Sequence, residues 1–173
     1  MKKLLIAALL LAPLSVFAQK FAHFNMSDIM PNMTEFQTAN TELQNISNQY
    51  QTELERLQKE YQTKAEEYQK LAENNATAQA ILQSKGADLE KMEQSIKDFF
   101  QASQQDIQKQ QNDKMGAIQD KVMAAVKKIA EAGGYVYVMD LASCAAVGTP
   151  VAFVNSSMST DISAQLKSEL GIK

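Results

Sequence analysis

From about residue 32 to about residue 132 the chain contains no proline, and only Gly86 and Gly116 interrupt a composition dominated by Gln, Glu, Lys, Ala and Leu. These residue types favour helix, and without proline nothing in the stretch forces the helix to stop. In the first half the apolar side chains fall at Phe36, Ala39, Leu43, Ile46, Tyr50, Leu54, Leu57, Tyr61, Ala65, Tyr68 and Ala72, which is 36 residues in ten steps, or 3.6 per step. That is the period of one face of an α-helix. The second half continues through Leu89, Met92, Ile96, Phe99, Ser103, Ile107, Gln110, Lys114, Ile118, Val122, Ala125, Ile129 and Ala132, with a polar centre.

Two arms of about 50 residues at 1.5 Å rise are each roughly 75 Å long. A helix of that length cannot bury its stripe against a compact core, so each arm must pair with its sibling in a long antiparallel hairpin. Paired four-residue steps depart from a strict 3.5-residue repeat, which predicts nearly straight arms. The reversal is expected between residues 74 and 88, where Asn74-Asn75-Ala76-Thr77 and Ser84-Lys85-Gly86-Ala87-Asp88 collect turn and capping residues, with Ser84 or Asp88 as cap of the returning helix. From Ser103 to Lys114, Gln110 and Lys114 stand where a tight seam would carry leucine. Loose packing is expected there, letting the arms splay.

The flanks differ in kind. Residues 1–18 have the parts of a secretory leader: Lys2 and Lys3, the apolar run Leu4 to Leu11, and Val16-Phe17-Ala18 before a cleavage point, so the mature chain is expected to begin at Gln19. The apolar run is shorter than the roughly 20 residues that span a bilayer. After the arms, Gly133-Gly134 is a helix stop, and Tyr135-Val136-Tyr137-Val138-Met139-Asp140 reads as a strand. Val151 to Asn155 reads as its partner across a loop holding Gly148 and Pro150, and Lys20 to Asn25 as a third strand. Ser159-Thr160-Asp161 offers an N-cap for a short terminal helix carrying Ile162, Leu166 and Leu170. The fold class is therefore mainly α with a small β core (α+β): residues 19–31 and 133–173 form the core and 32–132 the arm. So few short elements bury little, which makes self-association the natural remedy. Phe21, Phe24, Val136, Val138, Val151 and Phe153 are the expected joint core of an oligomer.

With Lys2 and Lys3 removed, 15 basic residues face 20 acidic ones, a formal charge of −5. A nucleic-acid partner is not expected, because phosphate binding concentrates lysine and arginine on one face. Cys144 is the only cysteine, which excludes an intrachain disulfide, and it reads as a small buried residue. His23 is the only histidine and lacks the partners that a metal or catalytic site requires, so no catalytic residue, metal or cofactor is assigned. The acid pair Glu66-Glu67 reads as a solvated helix face, with Glu60–Lys64 and Glu66–Lys70 as i,i+4 pairs. The sequons at Asn32, Asn45, Asn75 and Asn155 read as coincidences beside a bacterial-type leader. Phe99 and Phe100 point about 100° apart on a helix, so both cannot face the sibling arm. One aromatic is left over, and Phe100 either meets a client or widens the packed stripe. Leu82, Met92, Phe99, Phe100 and Met123 are the candidate client contacts on the arm, with core filling the favoured reading for Leu82, Met92 and Met123.

The order of elements, from Phe21-Ala22-His23-Phe24-Asn25 through Ser27-Asp28-Ile29-Met30-Pro31, the hairpin, Gly134-Tyr135-Val136-Tyr137-Val138-Met139-Asp140 and Thr160-Asp161-Ile162 before a terminal helix, resembles the Skp/OmpH family over residues 20 to 172. The resemblance implies a periplasmic homotrimer with a small β core and three arms enclosing a cavity. It implies that unfolded outer-membrane β-barrel proteins are held there without ATP and without catalysis. The best-known members are strongly basic, whereas this mature chain is acidic, which weakens the electrostatic basis for contact with an anionic membrane surface and leaves that contact open. A coiled-coil protein that tethers or braces the cell envelope without chaperone activity is the alternative. Such a protein would bind one folded partner tightly and leave unfolded chains alone.

Overall fold

The structure, a computed structural model, describes residues 19–146, 148, 151 and 153–172. The leader expected at 1–18 lies outside these. In chain order the elements are β1 (Lys20–Phe24), α1 (Met26–Ile29), a 3-10 turn (Met30–Asn32), α2 (Thr34–Glu73), α3 (Gln79–Gly133), β2 (Tyr135–Asp140), α4 (Leu141–Ala146), β3 (Ser159–Asp161) and α5 (Ser163–Glu169). Mostly helix with one small sheet, the chain divides into two compact units, one holding residues 30–123 and the other the sheet with residues 124–171.

The two long helices, α2 in the first unit and α3 whose last ten residues belong to the second, are 40 and 55 residues long, which at 1.5 Å rise gives about 60 Å and about 80 Å. Helix α2 starts without a side-chain cap at Met33. Instead, Gln37 Nε2 donates back to the Pro31 carbonyl at 3.1 Å, and Glu35 sits in the first turn, where the helix dipole favours a negative charge. At the far end the chain reverses over Asn74 to Ala78. Asn74 Oδ1 accepts from Ala76 N–H at 3.0 Å and its carbonyl from Thr77 N–H at 2.9 Å, the self-closing turn for which asparagine is suited. The expected returning-helix cap at Ser84 or Asp88 is therefore incorrect: both lie inside α3, which begins at Gln79. One asparagine turn suffices to reverse the chain, and Ala78 to Gln83 are good helix formers that extend α3 forward. Gly86 does not break the helix. A Cβ there would meet the Tyr68 ring at an ordinary 3.8 Å.

In the second unit β1 lies at the centre, in the order β2-β1-β3, with both pairings parallel. A parallel pair needs a long crossover, and between β1 and β2 the whole hairpin serves as that crossover. The register opposes Phe21 to Tyr137 and Ser159, Ala22 to Val138 and Thr160, and His23 to Met139 and Asp161, with an irregularity after Lys20 that leaves Val136 unpaired. Gly134 ends α3 at φ +65°, a backbone state that suits glycine, and a Cβ on Gly133 would collide with the Tyr135 ring. One face of the sheet is covered. Ala22, Phe24, Ile29, Ala125, Val126, Ile162 and Leu166 are buried there, and α1 packs on α4 and α5.

Two expectations are corrected here. Val151 and residues 153–155 form no strand; the third strand is Ser159–Asp161, because Ile162 N–H donates to the His23 carbonyl at 3.0 Å and draws that segment against β1. The triplet read as a cap is thus the strand itself. Asp161 still does the capping work, accepting from Ser163 N–H at 2.8 Å.

Candidate client-binding arms and open sheet face

Four contacts set the pairing of the arms. Glu35 meets Lys121, Glu42 meets Lys114 at 2.5 Å, Tyr50 Oη donates to Asp106 at 2.8 Å, and the Tyr50 ring meets Phe99 edge-on with centroids 5.9 Å apart. The steps on the two helices match, seven then eight residues up α2 against seven then eight down α3, as an antiparallel pair requires. Lys121 holds the Glu35 carboxyl below its usual range. The Tyr50 hydroxyl, followed by Gln110, does the same for Asp106, and the carboxylate in turn pushes the Tyr50 hydroxyl up.

The polar centre of α3 is bridged to α2 at two points, Tyr50 to Asp106 and Lys114 to Glu42, while its other polar side chains bond within α3. Ser103 is buried with its hydroxyl donating to the Phe100 carbonyl at 2.8 Å, Gln110 donates to Asp106 at 2.6 Å, and Lys114 crosses to Glu42. Among the described residues, no buried side-chain nitrogen or oxygen lacks a hydrogen-bond partner. Polar residues take seam positions here because each finds a counterpart, which removes the cost of drying them.

Outward faces of the arms carry intrahelical ion pairs: Arg56 with Glu53 and Glu60, Lys64 with Glu60 at 2.9 Å, Lys97 with Glu93 and Lys109 with Asp113. Glu66 and Lys70 form no such pair. Toward the tip, Leu57, Leu89 and Met92 floor a shallow open groove rimmed by Glu60, Lys64 and Lys85.

On the second unit the uncovered sheet face carries Phe21 and His23 from β1 with Tyr137 and Met139 from β2. The Phe21 and Tyr137 rings are parallel at 6.2 Å. Beside them Val151, Phe153, Val154 and Met158 line an apolar hollow of about 190 Å³. Phe153 is 78% exposed, Met158 69% and Tyr137 65%. A patch so apolar on so small a unit marks an interaction surface. His23 Nδ1 lies 2.9 Å from Ser159 Oγ, a bond that ties β1 to β3, and Asp161 stands opposite His23 in register, its carboxyl held below the usual range first by the bonds from Ser163 and further by the charges of His23 and Lys167. Among the described residues, no group of three His, Cys, Asp or Glu is placed to hold a metal, and no helix is long and apolar enough to cross a membrane.

The family model for OmpH-like outer membrane proteins matches residues 20–170. The chain belongs to the OmpH-like family. Its fold is similar to a solved structure of an OmpH-like protein from Caulobacter crescentus CB15, proposed to be an outer membrane chaperone, with a TM-score of 0.71 at 16% identity, covering 88% of this chain and 83% of that one. At that identity the likeness establishes the fold. A search of curated protein sequences gives no match.

The OmpH-like arm places the expected contact residues unequally. Phe99 points into the seam against Tyr50, while Phe100 is the aromatic left over, 49% exposed beside Leu54 and Ile107. Met123 is 53% exposed, and Leu82 and Met92 are half-buried. Of the six residues expected to form a joint core, Phe24 is buried within the chain, Val138 and Val151 are half-buried, and Phe21, Val136 and Phe153 are exposed. Sequence reasoning missed Ile81, exposed near the tip, and Tyr137, Met139 and Met158 on the open face. Period-two alternation in β2 held the signal for Tyr137 and Met139, but in a strand apolar at nearly every position it could not say which set faces outward.

Proposed function

We propose that this OmpH-like chain is a periplasmic, ATP-independent holdase that captures unfolded outer-membrane β-barrel proteins and keeps them from aggregating. The observation that carries the reading is the arm itself. Exposed apolar side chains, Ile81, Phe100 and Met123, are dispersed along a long charged hairpin and do not converge on a pocket. Dispersed weak contacts suit a partner with no fixed shape, since many simultaneous contacts give tight holding while each one exchanges freely. Family membership and the fold likeness to an OmpH-like chaperone candidate support the same reading. The candidate contacts are Leu82, Met92, Phe99, Phe100 and Met123, of which Phe99 is engaged with Tyr50 in the seam.

The second unit self-associates in this proposal, as a homotrimer, through Phe21, Val136, Val138, Val151 and Phe153, with Phe24 supporting them from the covered face. A three-stranded sheet that the described residues cover on one side, with no strand of theirs beside the outer edges of β2 and β3, leaves strand edges and an apolar face that a second copy of the same surface satisfies. Such assembly sets several arms around one client. No step of the proposed cycle needs catalysis, metal, cofactor or nucleic acid, and the leader at 1–18 directs export.

The test dilutes a urea-unfolded outer-membrane barrel protein into buffer with residues 19–173 and follows light scattering while sizing the complex. Suppressed scattering in a stoichiometric complex without nucleotide is the expected result. Unchanged aggregation with several clients, together with tight binding of one folded envelope protein, would point to the tethering role instead.

A further inference from the structure

We infer that the hollow between the arms beside Phe100 is a site for aromatic side chains of an unfolded client; this rests on the holding function proposed above. The hollow has a volume of about 220 Å³ and is lined by Ser47, Gln51 and Leu54 of α2 and by Phe100, Gln104 and Ile107 of α3. Phe100 is exposed, while Leu54 and Ile107 are half-buried. No charged side chain is among the described residues that line it. Elsewhere the arm is charged. The groove nearer the tip is rimmed by Glu60, Lys64, Lys85 and Asp88, and the outward faces carry the ion pairs described above. Asp106, next to Ile107 in sequence, has its carboxylate bonded to Tyr50 and Gln110.

A neutral hollow disfavours charged side chains, because nothing lining it pairs an ion that leaves water. Its volume exceeds the roughly 150 Å³ of a cavity that holds a benzene ring, so one aromatic side chain fits. The Phe100 ring then selects among neutral side chains. An aromatic partner gains an offset or edge-to-face contact with it beyond the area it buries, whereas an aliphatic one gains the area alone. Gln51 and Gln104, both exposed, set amides beside the ring that bond the peptide groups flanking a client side chain and bring no charge. Gln51 gives its amide nitrogen to Glu55 at 3.1 Å, and its oxygen remains an acceptor. The proposed clients carry the matching chemistry. Outer-membrane barrels place girdles of aromatic residues at both ends of their apolar band, so an unfolded one exposes aromatic side chains along its whole length. Phe100 thus biases a weak, many-point capture toward the segments that form those girdles.

NMR of the Leu54 and Ile107 methyl groups in residues 19–173 tests this. The probe is a short capped peptide of glycine, serine and threonine carrying one tyrosine, beside the same peptide with leucine in its place. The tyrosine peptide should shift both methyls through its ring current and leave the Leu57 and Leu89 methyls of the charged-rim groove in place. It should bind about two- to tenfold more tightly than the leucine peptide, the advantage an aromatic pair adds. In Phe100→Leu, which keeps an apolar side chain at an exposed helical position, the two peptides should bind alike. Equal binding of both peptides to the native chain, equal movement of the Leu57 and Leu89 methyls, or a tyrosine preference that survives Phe100→Leu overturns the inference. So do concentration-dependent methyl shifts without peptide, which would make a second copy the occupant. Light scattering with a barrel client keeps the two readings apart. A native chain that holds clients while the peptides bind alike loses only the aromatic site, whereas one that holds none loses the holding function and the site with it.

Discussion

Removing the carboxylate of Asp140 should cost more stability than removing any other single polar side chain of the sheet unit. Asp140 ends β2, and its two oxygens accept from Met26 N–H at 2.9 Å, Ala142 N–H at 3.1 Å, Ser143 N–H at 3.2 Å and the Ser143 hydroxyl. One side chain therefore ties the end of a strand to the starts of α1 and α4. The Ser143 donors are exposed, so in Asp140→Ala water replaces what they lose. Met26 and Ala142 N–H are partly buried, and each left unsatisfied costs roughly 1–3 kcal/mol, with loss of a helix cap adding about 1 kcal/mol. Allowing for non-additivity, Asp140→Ala should lose about 3 kcal/mol. Asp140→Asn keeps one acceptor oxygen and should lose about 1 kcal/mol. The arm helices dominate circular dichroism, so the measurement is amide exchange of residues 21–24 in urea, at one fixed protein concentration because assembly adds apparent stability. A loss under about 1 kcal/mol in the alanine variant, or an asparagine variant as damaged as the alanine one, would refute the reasoning.

Phe100→Ser together with Met123→Ser should leave helicity unchanged and weaken client holding by about fivefold, a loss of roughly 1 kcal/mol spread over contacts that act together; light scattering against chaperone concentration reads it. Gly116→Ala should stabilise the arm by about 0.5–1 kcal/mol, since nothing lies within 4 Å of the added Cβ, and a thermal melt measures the gain. Acid should loosen the base of the arms. The Glu35 and Asp106 carboxyls are held below their ordinary values of 4.5 and 3.8 by partners in the fold. Their contribution is thus present above those values and disappears as pH falls through the lower folded ones. Exchange protection of residues 35–50 should decline below about pH 4, and Asp106→Asn should remove part of that decline; identical profiles in the two proteins would contradict the assignment.

Local chemistry and period made much of this molecule legible in one dimension. A proline-free run of helix formers with a 3.6-residue stripe dictates long paired helices, because neither arm can bury its stripe alone. Gly133-Gly134 marks the end of α3, since one glycine takes a positive φ and the other leaves room for the Tyr135 ring. Adjacent Phe99 and Phe100 had to diverge, as helical geometry requires. Only tertiary structure decided the rest. Asn74 and Ser84 both carry turn chemistry, and the reversal fell at Asn74 because the seam continues past Gly86 beneath Tyr68. Val151 to Asn155 has strand composition, yet the strand beside β1 is Ser159–Asp161, chosen by hydrogen bonds to a partner 136 residues away in sequence. Ser103, Gln110 and Lys114 read as a weak seam in isolation, and α2 bridges that stretch through Tyr50 to Asp106 and Glu42 to Lys114. Period and propensity act over a few residues, whereas which groups are satisfied depends on what the folded chain brings opposite them.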